Sequence, residues 1–184
     1  MLDAISNDLI IINISVFLIV VYSLIVLGTC TPIGCRSAAA AIGVLCTMLA
    51  FVSSYGLCCC FGLHVSGIHN LLPFLLLGIG ADDMYVITAV ADQINPLMTM
   101  SNRMGKTLKL AGVSILITSL TDCIAFLVSS ISHLPALNSF CIFAGLGIFF
   151  DFLFEITVFS AFLTYDLDRQ SRNKGDCCGL CRCK

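Results

Sequence analysis

Long apolar runs separated by short polar stretches dominate the pattern of residues along the chain. A membrane-spanning helix takes roughly 20 apolar residues. Five runs reach that length, at about residues 9–29, 38–63, 71–91, 108–132 and 136–165. All four prolines lie in the intervening stretches or in the first turn of a run, where a residue without an N–H does least harm to a helix. The pattern predicts an all-α membrane protein built as a five-helix bundle.

The composition agrees with that prediction. The chain has 184 residues, of which 59% are hydrophobic and 11% are charged, and its mean hydropathy is +1.04. A soluble domain usually carries about 25% charged residues. No long basic run is present, so we expect no nucleic-acid partner.

The positions of the basic residues predict the orientation of the bundle. All nine Lys and Arg residues fall in or at the edge of the stretches 30–37 and 92–107 and the C-terminal tail. Cytoplasmic loops carry an excess of Lys and Arg, so this side is predicted to be cytoplasmic. We therefore expect a short extracellular N-terminus (1–8), a membrane bundle (9–165) and a basic cytoplasmic tail (166–184). The N-terminus lacks the positive charge of a signal peptide, so residues 9–29 are predicted to be a mature span.

The chain has twelve cysteines, and four of them lie close together in the tail. Basic, membrane-proximal cysteines on the cytoplasmic side are candidates for S-palmitoylation. Unmodified thiols are one alternative, and a zinc site is another, although four cysteines in seven residues make a cramped tetrahedron. We expect no metal and no cofactor. The candidate palmitoylation sites are Cys177, Cys178, Cys181 and Cys183.

Five acidic residues fall inside predicted spans, and two of them are adjacent. An ionised Asp at mid-membrane costs roughly 2.5–3.5 kcal/mol even on the lenient insertion scale. We therefore expect these side chains to face the bundle interior and either to accept protons or to hold a cation. Gly78, one helical turn before Asp82, is predicted to let a neighbouring backbone approach. The candidate proton- or cation-coupling residues are Gly78, Asp82, Asp83, Asp122, Asp151 and Glu155.

Helical spacing places several of these residues on shared faces. Gly147, Asp151 and Glu155 fall on one face of the fifth span. The fourth span carries a stripe of small and hydroxylated residues, which is typical of helix–helix contacts in membranes. Its members are Ala111, Ser114, Thr118, Thr121, Asp122, Ala125, Ser129 and Ser132.

Plainer interpretations stay open for some of these residues. Asp122 could be a structural acceptor for Ser and Thr hydroxyls. Asp151 and Glu155 could be partly hydrated near the cytoplasmic end. The three histidines, His64, His69 and His133, are interpreted as solvated residues of outer loops.

Two segments resemble a known family. Residues 72–87, LPFLLLGIGADDMYVI, resemble the fourth transmembrane helix of Patched-type proteins, which carry a closely similar G-x-G-x-D-D stretch. Residues 111–157 are similar to the fifth and sixth helices of the same group. The resemblance implies a sterol-sensing domain over roughly residues 9–170, within the resistance-nodulation-division permease superfamily. It also implies that Gly78, Asp82 and Asp83 match the proton-carrying site of bacterial members.

The resemblance implies a function for a longer protein. Patched-type permeases have two repeats, and the first helix, the ectodomains and the second repeat are absent here, so we expect a fragment or a truncated form. The expected function is that of a membrane module for proton- or cation-coupled sterol or lipid transport, in the plasma membrane rather than internal membranes. The alternative is a regulatory module that binds sterol and a partner without ion flux, and the minimal one is a membrane anchor. Expected partners are membrane lipids and the missing repeat. No HExxH or GxSxG motif is present, so an enzyme is not expected.

Overall fold

The computed structural model describes residues 14, 16–23, 37–63, 65–95, 98–132 and 134–171, and within these ranges the regular structure is helical throughout. Helix α1 is described over residues 16–23. The elements that follow are α2 (Ser37–Cys60), a 3-10 turn (Gly67–Leu71), α3 (Leu72–Gln93), α4 (Met100–Ser129), α5 (Pro135–Phe154), a π-helical turn (Glu155–Phe159) and α6 (Ser160–Ser171).

Four helical stretches of the described residues are long and apolar enough to cross a membrane. They are Ala38–Cys60, Gly67–Gln93, Met100–Ser129 and Pro135–Ser171. The all-α prediction is confirmed, and these stretches correspond to four of the five predicted spans. The first predicted span lies largely outside the described residues, as do the four tail cysteines. The helix count, the orientation and the domain boundaries therefore stay predictions.

The helix ends follow from local sequence. Pro73 and Pro135 occupy the first turn of α3 and α5, where the missing N–H has no intrahelical partner to lose. After α2, Gly62 adopts a φ of 71°, a left-handed conformation that glycine tolerates without strain. Its N–H donates to the Cys59 carbonyl at 3.0 Å, which closes the helix end.

Helix α5 lies at the centre of the bundle, with its most extensive contacts to α2 and α4 and further contacts to α3. Gly147 makes the approach of α3 possible, because a Cβ at this position would lie 2.9 Å from Leu76 Cδ1. Two buried apolar clusters fill the bundle. The first contains Cys58, Leu72, Leu76, Phe143, Ala144 and Ile148. The second contains Ala39, Cys46, Ala81, Met84, Ile87, Ala91, Met104, Ala111, Ile115, Phe159, Leu163 and Leu167.

His69 is not a solvated loop residue, so that interpretation was wrong. Its side chain is buried in the 3-10 turn. The Ser66 N–H donates to Nδ1 at 3.1 Å, and Nε2 lies 3.4 Å from Ser139 Oγ on α5. The ring centroid lies 4.6 Å from that of Phe143 in an edge-on contact. The connection between α2 and α3 is short and folds back as a 3-10 turn, which buries the imidazole against α5. His64 and His133 lie outside the described residues.

Arg103 joins α3 to α4 at the predicted cytoplasmic end. The side chain is buried, and its Nε and Nη2 donate to the carbonyl oxygen of Ala91 at 3.2 and 2.8 Å. Ala91 lies in the last turn of α3, where carbonyl groups have no intrahelical partner. The guanidinium therefore closes the end of one helix from the start of the next.

We predict that Arg103→Met lowers the free energy of unfolding by about 2 kcal/mol, because a hydrogen bond to a charged group contributes roughly 1.5–3 kcal/mol and Ala91 O loses both donors. Thermal unfolding in detergent micelles measures the change. Lys106→Met removes an exposed positive charge one turn later in α4 and is the matched control. Equal stability of the two variants would contradict the proposed role of Arg103.

Candidate functional site

Three of the five predicted acids line one open groove between α3 and α4. This acidic groove has a volume of about 360 Å³. Asp82 is exposed in it, Asp122 is half-buried and Asp83 is buried. Neighbouring residues of a helix point in different directions, so the adjacent pair is divided between the groove and the bundle interior. The groove is lined by Ile79, Asp82, Asp83, Val86, Ser114, Ile115, Ile117, Thr118, Thr121 and Asp122.

The other two acids lie inside the bundle. Asp151 and Glu155 are both 0% exposed, and none of their four carboxylate oxygens has a hydrogen-bond partner among the described residues. They are four residues apart at the junction of α5 and the π-helical turn, on one face with Gly147, as the spacing predicts. The interpretation that they are partly hydrated near the cytoplasmic end was wrong, because α6 continues to Ser171 and packing covers both side chains.

Gly80 brings α3 against the Asp151 carboxylate. A Cβ on Gly80 would lie 2.9 Å from Asp151 Oδ2 and 2.5 Å from Thr47 Oγ1 of α2. Real Cβ atoms do not approach other atoms so closely, so only glycine fits this position without a shift of its neighbours. Three helices therefore meet at one point, where the bare Cα of Gly80 contacts a carboxylate and a hydroxyl.

Asp83 connects the two groups of acids. On its groove side it interacts electrostatically with Asp82 and Asp122. Asp83 also lies three residues after Gly80, which approaches the Asp151 carboxylate, and it is within electrostatic range of Asp151 and Glu155. The Ser119 hydroxyl of α4 also faces the Asp83 carboxylate. One carboxylate thus belongs both to the open groove and to the buried interior.

The structure leaves the site without a basic partner in its described part. The described basic residues lie near helix ends. Three fall in the first ten residues of α4 (Arg103, Lys106 and Lys109), and Arg169 falls in the last turn of α6. Arg169 is 2.8 Å from Asp166 at the predicted cytoplasmic end. A buried carboxylate without a cation is costly when ionised. Proton binding or cation binding are the two ways in which this arrangement can lower that cost.

The small-residue stripe of α4 differs from its prediction. In the described bundle Ala111 is buried, whereas Ser114, Thr118, Thr121, Ala125 and Ser129 are exposed. Thr121 and Ser129 donate to carbonyls of their own helix at 2.8 Å, so their hydroxyls need no neighbouring helix. The buried face of α4 runs instead through Ala111, Ile115 and Ser119.

These bonds also bear on Asp122, which sequence alone allowed as an acceptor for nearby hydroxyls. Thr118 and Thr121 donate to the carbonyls of Ile115 and Ile117, at 2.9 and 2.8 Å. These two hydroxyls therefore donate to backbone carbonyls rather than to the Asp122 carboxylate.

The sequence did not predict three residues of the site, namely Gly80, Thr47 and Ser119. It pointed to Gly78 instead of Gly80 as the glycine of the close approach. None of the residues that the structure describes places an atom within 4 Å of a Cβ built on Gly78, so the close approach belongs to Gly80. The coupling role of Gly78 stays a prediction. A lone hydroxyl in an apolar span is a weak signal, because such a residue commonly bonds to its own helix, as Thr47 does to Gly43 O at 3.2 Å.

Comparison with known proteins identifies the family. The sequence profile described as "Sterol-sensing domain of SREBP cleavage-activation" matches residues 32–183. The chain belongs to the sterol-sensing domain family. The described residues contain four apolar helices of spanning length, so this sterol-sensing domain is a multi-pass integral membrane protein.

Its similarity to known proteins shows that this sterol-sensing domain is Patched-related. Protein patched homolog 2 of Mus musculus is 34% identical over 139 residues, which are 74% of this chain and 12% of that protein. Protein patched homolog 1 of Caenorhabditis elegans is 32% identical over 139 residues, 74% of this chain and 10% of that protein. NPC intracellular cholesterol transporter 1 of Sus scrofa is 29% identical over 141 residues, 74% of this chain and 11% of that protein. The chain therefore spans about a tenth of the length of these relatives.

We predict opposite effects for alanine at the two glycines of the G-x-G motif. Gly80→Ala forces a methyl group against Thr47 and Asp151 and is expected to lower the free energy of unfolding by about 1–3 kcal/mol, the usual cost of overpacking. Gly78→Ala has open space and should be neutral or stabilise by up to about 1 kcal/mol through helix propensity. Unfolding in detergent compares the pair, and equal destabilisation would contradict the close approach at Gly80.

Proposed function

We propose that this sterol-sensing domain is the membrane module of a Patched-like permease, in which a proton or cation bound in the acidic groove drives the movement of a sterol or another lipid. The observation that carries the proposal is the groove itself, where Asp82, Asp83 and Asp122 converge from two helices. Polar hydroxyls of Ser114, Thr118 and Thr121 line the same groove and give an incoming ion or water oxygen ligands.

The open side of the groove supports a role for the missing repeat. Asp82 and the polar stripe of α4 are exposed within this chain, although exposed carboxylates are costly in hydrocarbon. A second repeat packed on this face would cover them and supply further partners. Binding of a proton or cation would then change the charge at the interface, and the charge change would bias two packings of the bundle.

Lipid specificity and location are the less direct parts of the proposal. One relative is named as an intracellular cholesterol transporter, which makes a sterol the first lipid to test. Because the acidic motif of α3 resembles that of Patched-type proteins, we propose the plasma membrane rather than internal membranes. Surface biotinylation of intact cells distinguishes the two locations.

We predict that replacing Asp82 and Asp83 together with Asn, at the matching positions of a full-length Patched-related permease, reduces sterol transport to background. Asn keeps the size of Asp but cannot carry the charge that the coupling step needs. Sterol movement between proteoliposomes across a pH gradient is the measurement. Asp92→Asn changes an exposed acid at the end of α3 and is the matched control. Unchanged transport in the double variant would reject the coupling role.

A second candidate function rests on a different groove. An apolar groove of about 320 Å³ lies between α4 and α5, on the other side of α4 from the acids. Its walls are mainly leucine and phenylalanine side chains, several of which are exposed where lipid would contact them. It is lined by Leu116, Ser119, Leu120, Cys123, Leu127, Gly145, Leu146, Phe149 and Phe152. Such a groove suits a sensing module, which binds a sterol and changes its contacts with a partner without ion flux.

Photocrosslinking separates sensing from coupled transport. If the domain is a sensor alone, a photoreactive cholesterol analogue should label the peptide 116–127 equally at acidic and alkaline pH, and equally in Asp82→Asn/Asp83→Asn. If lipid and ion binding are coupled, labelling in the wild type should change with pH, and the double variant should lose that dependence. Leu120→Trp, which fills the groove, is the control for labelling at this site and should abolish it.

A further inference from the structure

The acidic groove leaves two buried acids unused. Asp151 and Glu155 contact neither the groove nor the predicted aqueous ends of the bundle, and their carboxylate oxygens lack hydrogen-bond partners among the described residues. In α5 and its extension they lie between Ile148 of the first apolar cluster and Phe159 of the second. Dehydrated carboxylates in such a position are unfavourable as anions and need a positive charge or a proton.

The elements packed around this pair supply no positive charge in the described structure. Helix α2 contributes the Cys46 thiol and the Thr47 hydroxyl, both buried. Helix α3 contributes the Asp83 carboxylate and the bare Cα of Gly80. Asp122 of helix α4 interacts electrostatically with Asp83 from the groove side. Among the described residues, the titratable groups that interact with the pair are therefore the Asp83 carboxyl group and the Cys46 thiol.

A proton suits this position better than a metal ion. No three His, Cys, Asp or Glu side chains of the described ranges are arranged so that they could hold a metal ion. Hard cations such as Ca²⁺ need six to eight oxygen ligands at once, whereas a proton needs only one oxygen or two shared ones. Asp151 and Glu155, two fully buried side chains, meet the requirement for a proton.

We propose that Asp83, Asp151 and Glu155 form a proton-storage chain within this single helix bundle. Asp83 takes a proton from water in the acidic groove. A rotation of the Asp83 side chain then brings its carboxyl group within hydrogen-bond distance of the Asp151 carboxylate, which takes the proton and leaves Asp83 in the anionic form. Asp151 and Glu155 then hold at least one proton between them at neutral pH. No bond other than O–H bonds forms or breaks. The first transfer converts a hydronium ion in the groove to water, and the second regenerates the Asp83 carboxylate as Asp151 becomes protonated.

This proposal deepens the function given above, because it takes the acidic groove as the source of protons. It differs in one respect from what the sequence implies. The resemblance implies a second repeat as the partner of this domain. Within the chain itself, the structure places Asp151 against Gly80, three residues before Asp83 on α3, and both buried acids interact electrostatically with Asp83. A store of this kind would let the domain change protonation state before any second repeat takes part.

Infrared spectroscopy of the chain in lipid nanodiscs tests the storage directly. We expect a protonated carboxyl C=O band at neutral pH that shifts in heavy water. Asp151→Asn and Glu155→Gln, which keep the side-chain size, should each reduce that band, whereas Asp92→Asn should leave it unchanged. A wild-type spectrum without the band at neutral pH would overturn the proposal, and this result needs no variant to fold. A band unaffected in both buried variants would overturn it equally.

The connection through Asp83 has its own test. After a rapid pH jump, the buried band of the wild type should respond, and Asp83→Asn should slow that response by at least tenfold while the band itself remains. An unchanged response would overturn Asp83 as the link. The outcome is separate from lipid transport. If the carboxyl band is present but sterol transport is unchanged in the Asp82→Asn/Asp83→Asn variant, only the proposed function is refuted. If transport requires Asp82 and Asp83 but the band is absent, only the proton-storage proposal is refuted.

Discussion

The poor solvation of charge in a bilayer is the constraint on which the arrangement of this domain depends. Water stabilises a carboxylate strongly, and hydrocarbon and packed side chains do not. The five acids of α3, α4 and α5 with its extension must therefore either reach a polar groove or lie where a proton can stay bound. In the structure Asp82 and Asp122 lie on the groove, and Asp151 and Glu155 lie in the core. Asp83 lies at the boundary and links the two environments.

Small residues make that arrangement possible. Membrane helices associate through close packing, because lipid tails give little hydrophobic drive for one helix to bury itself against another. The missing side chain of Gly147 leaves room for Leu76, and that of Gly80 leaves room for Asp151 and Thr47. Each contact draws α3 towards α5 and fixes the distance between their acids. The two apolar clusters on either side then keep water from the buried pair, so packing sets the chemistry of the site.

Helix α4 separates two grooves of opposite character. One side carries the acidic groove and its hydroxyls, and the other carries the apolar groove shared with α5. Ser119 belongs to the wall between them, because it lines the apolar groove and faces Asp83. A lipid on one side and an ion on the other would thus be separated by a single helix. Coupled transport and lipid sensing are two uses of this same geometry, and they differ in whether a change on one side alters the other.

The sequence by itself determined the elements and the list of acids. Apolar runs of spanning length predict membrane helices, since backbone groups in lipid must satisfy one another within a helix. Spacing of four residues also placed Gly147, Asp151 and Glu155 on one face. The tertiary structure decided which face each helix buries. It buried His69, turned the polar stripe of α4 outwards, and chose Gly80 rather than Gly78 as the point of contact. Periodicity reports positions around one helix axis, but the rotation of that helix against its neighbours depends on side-chain volumes from several helices at once.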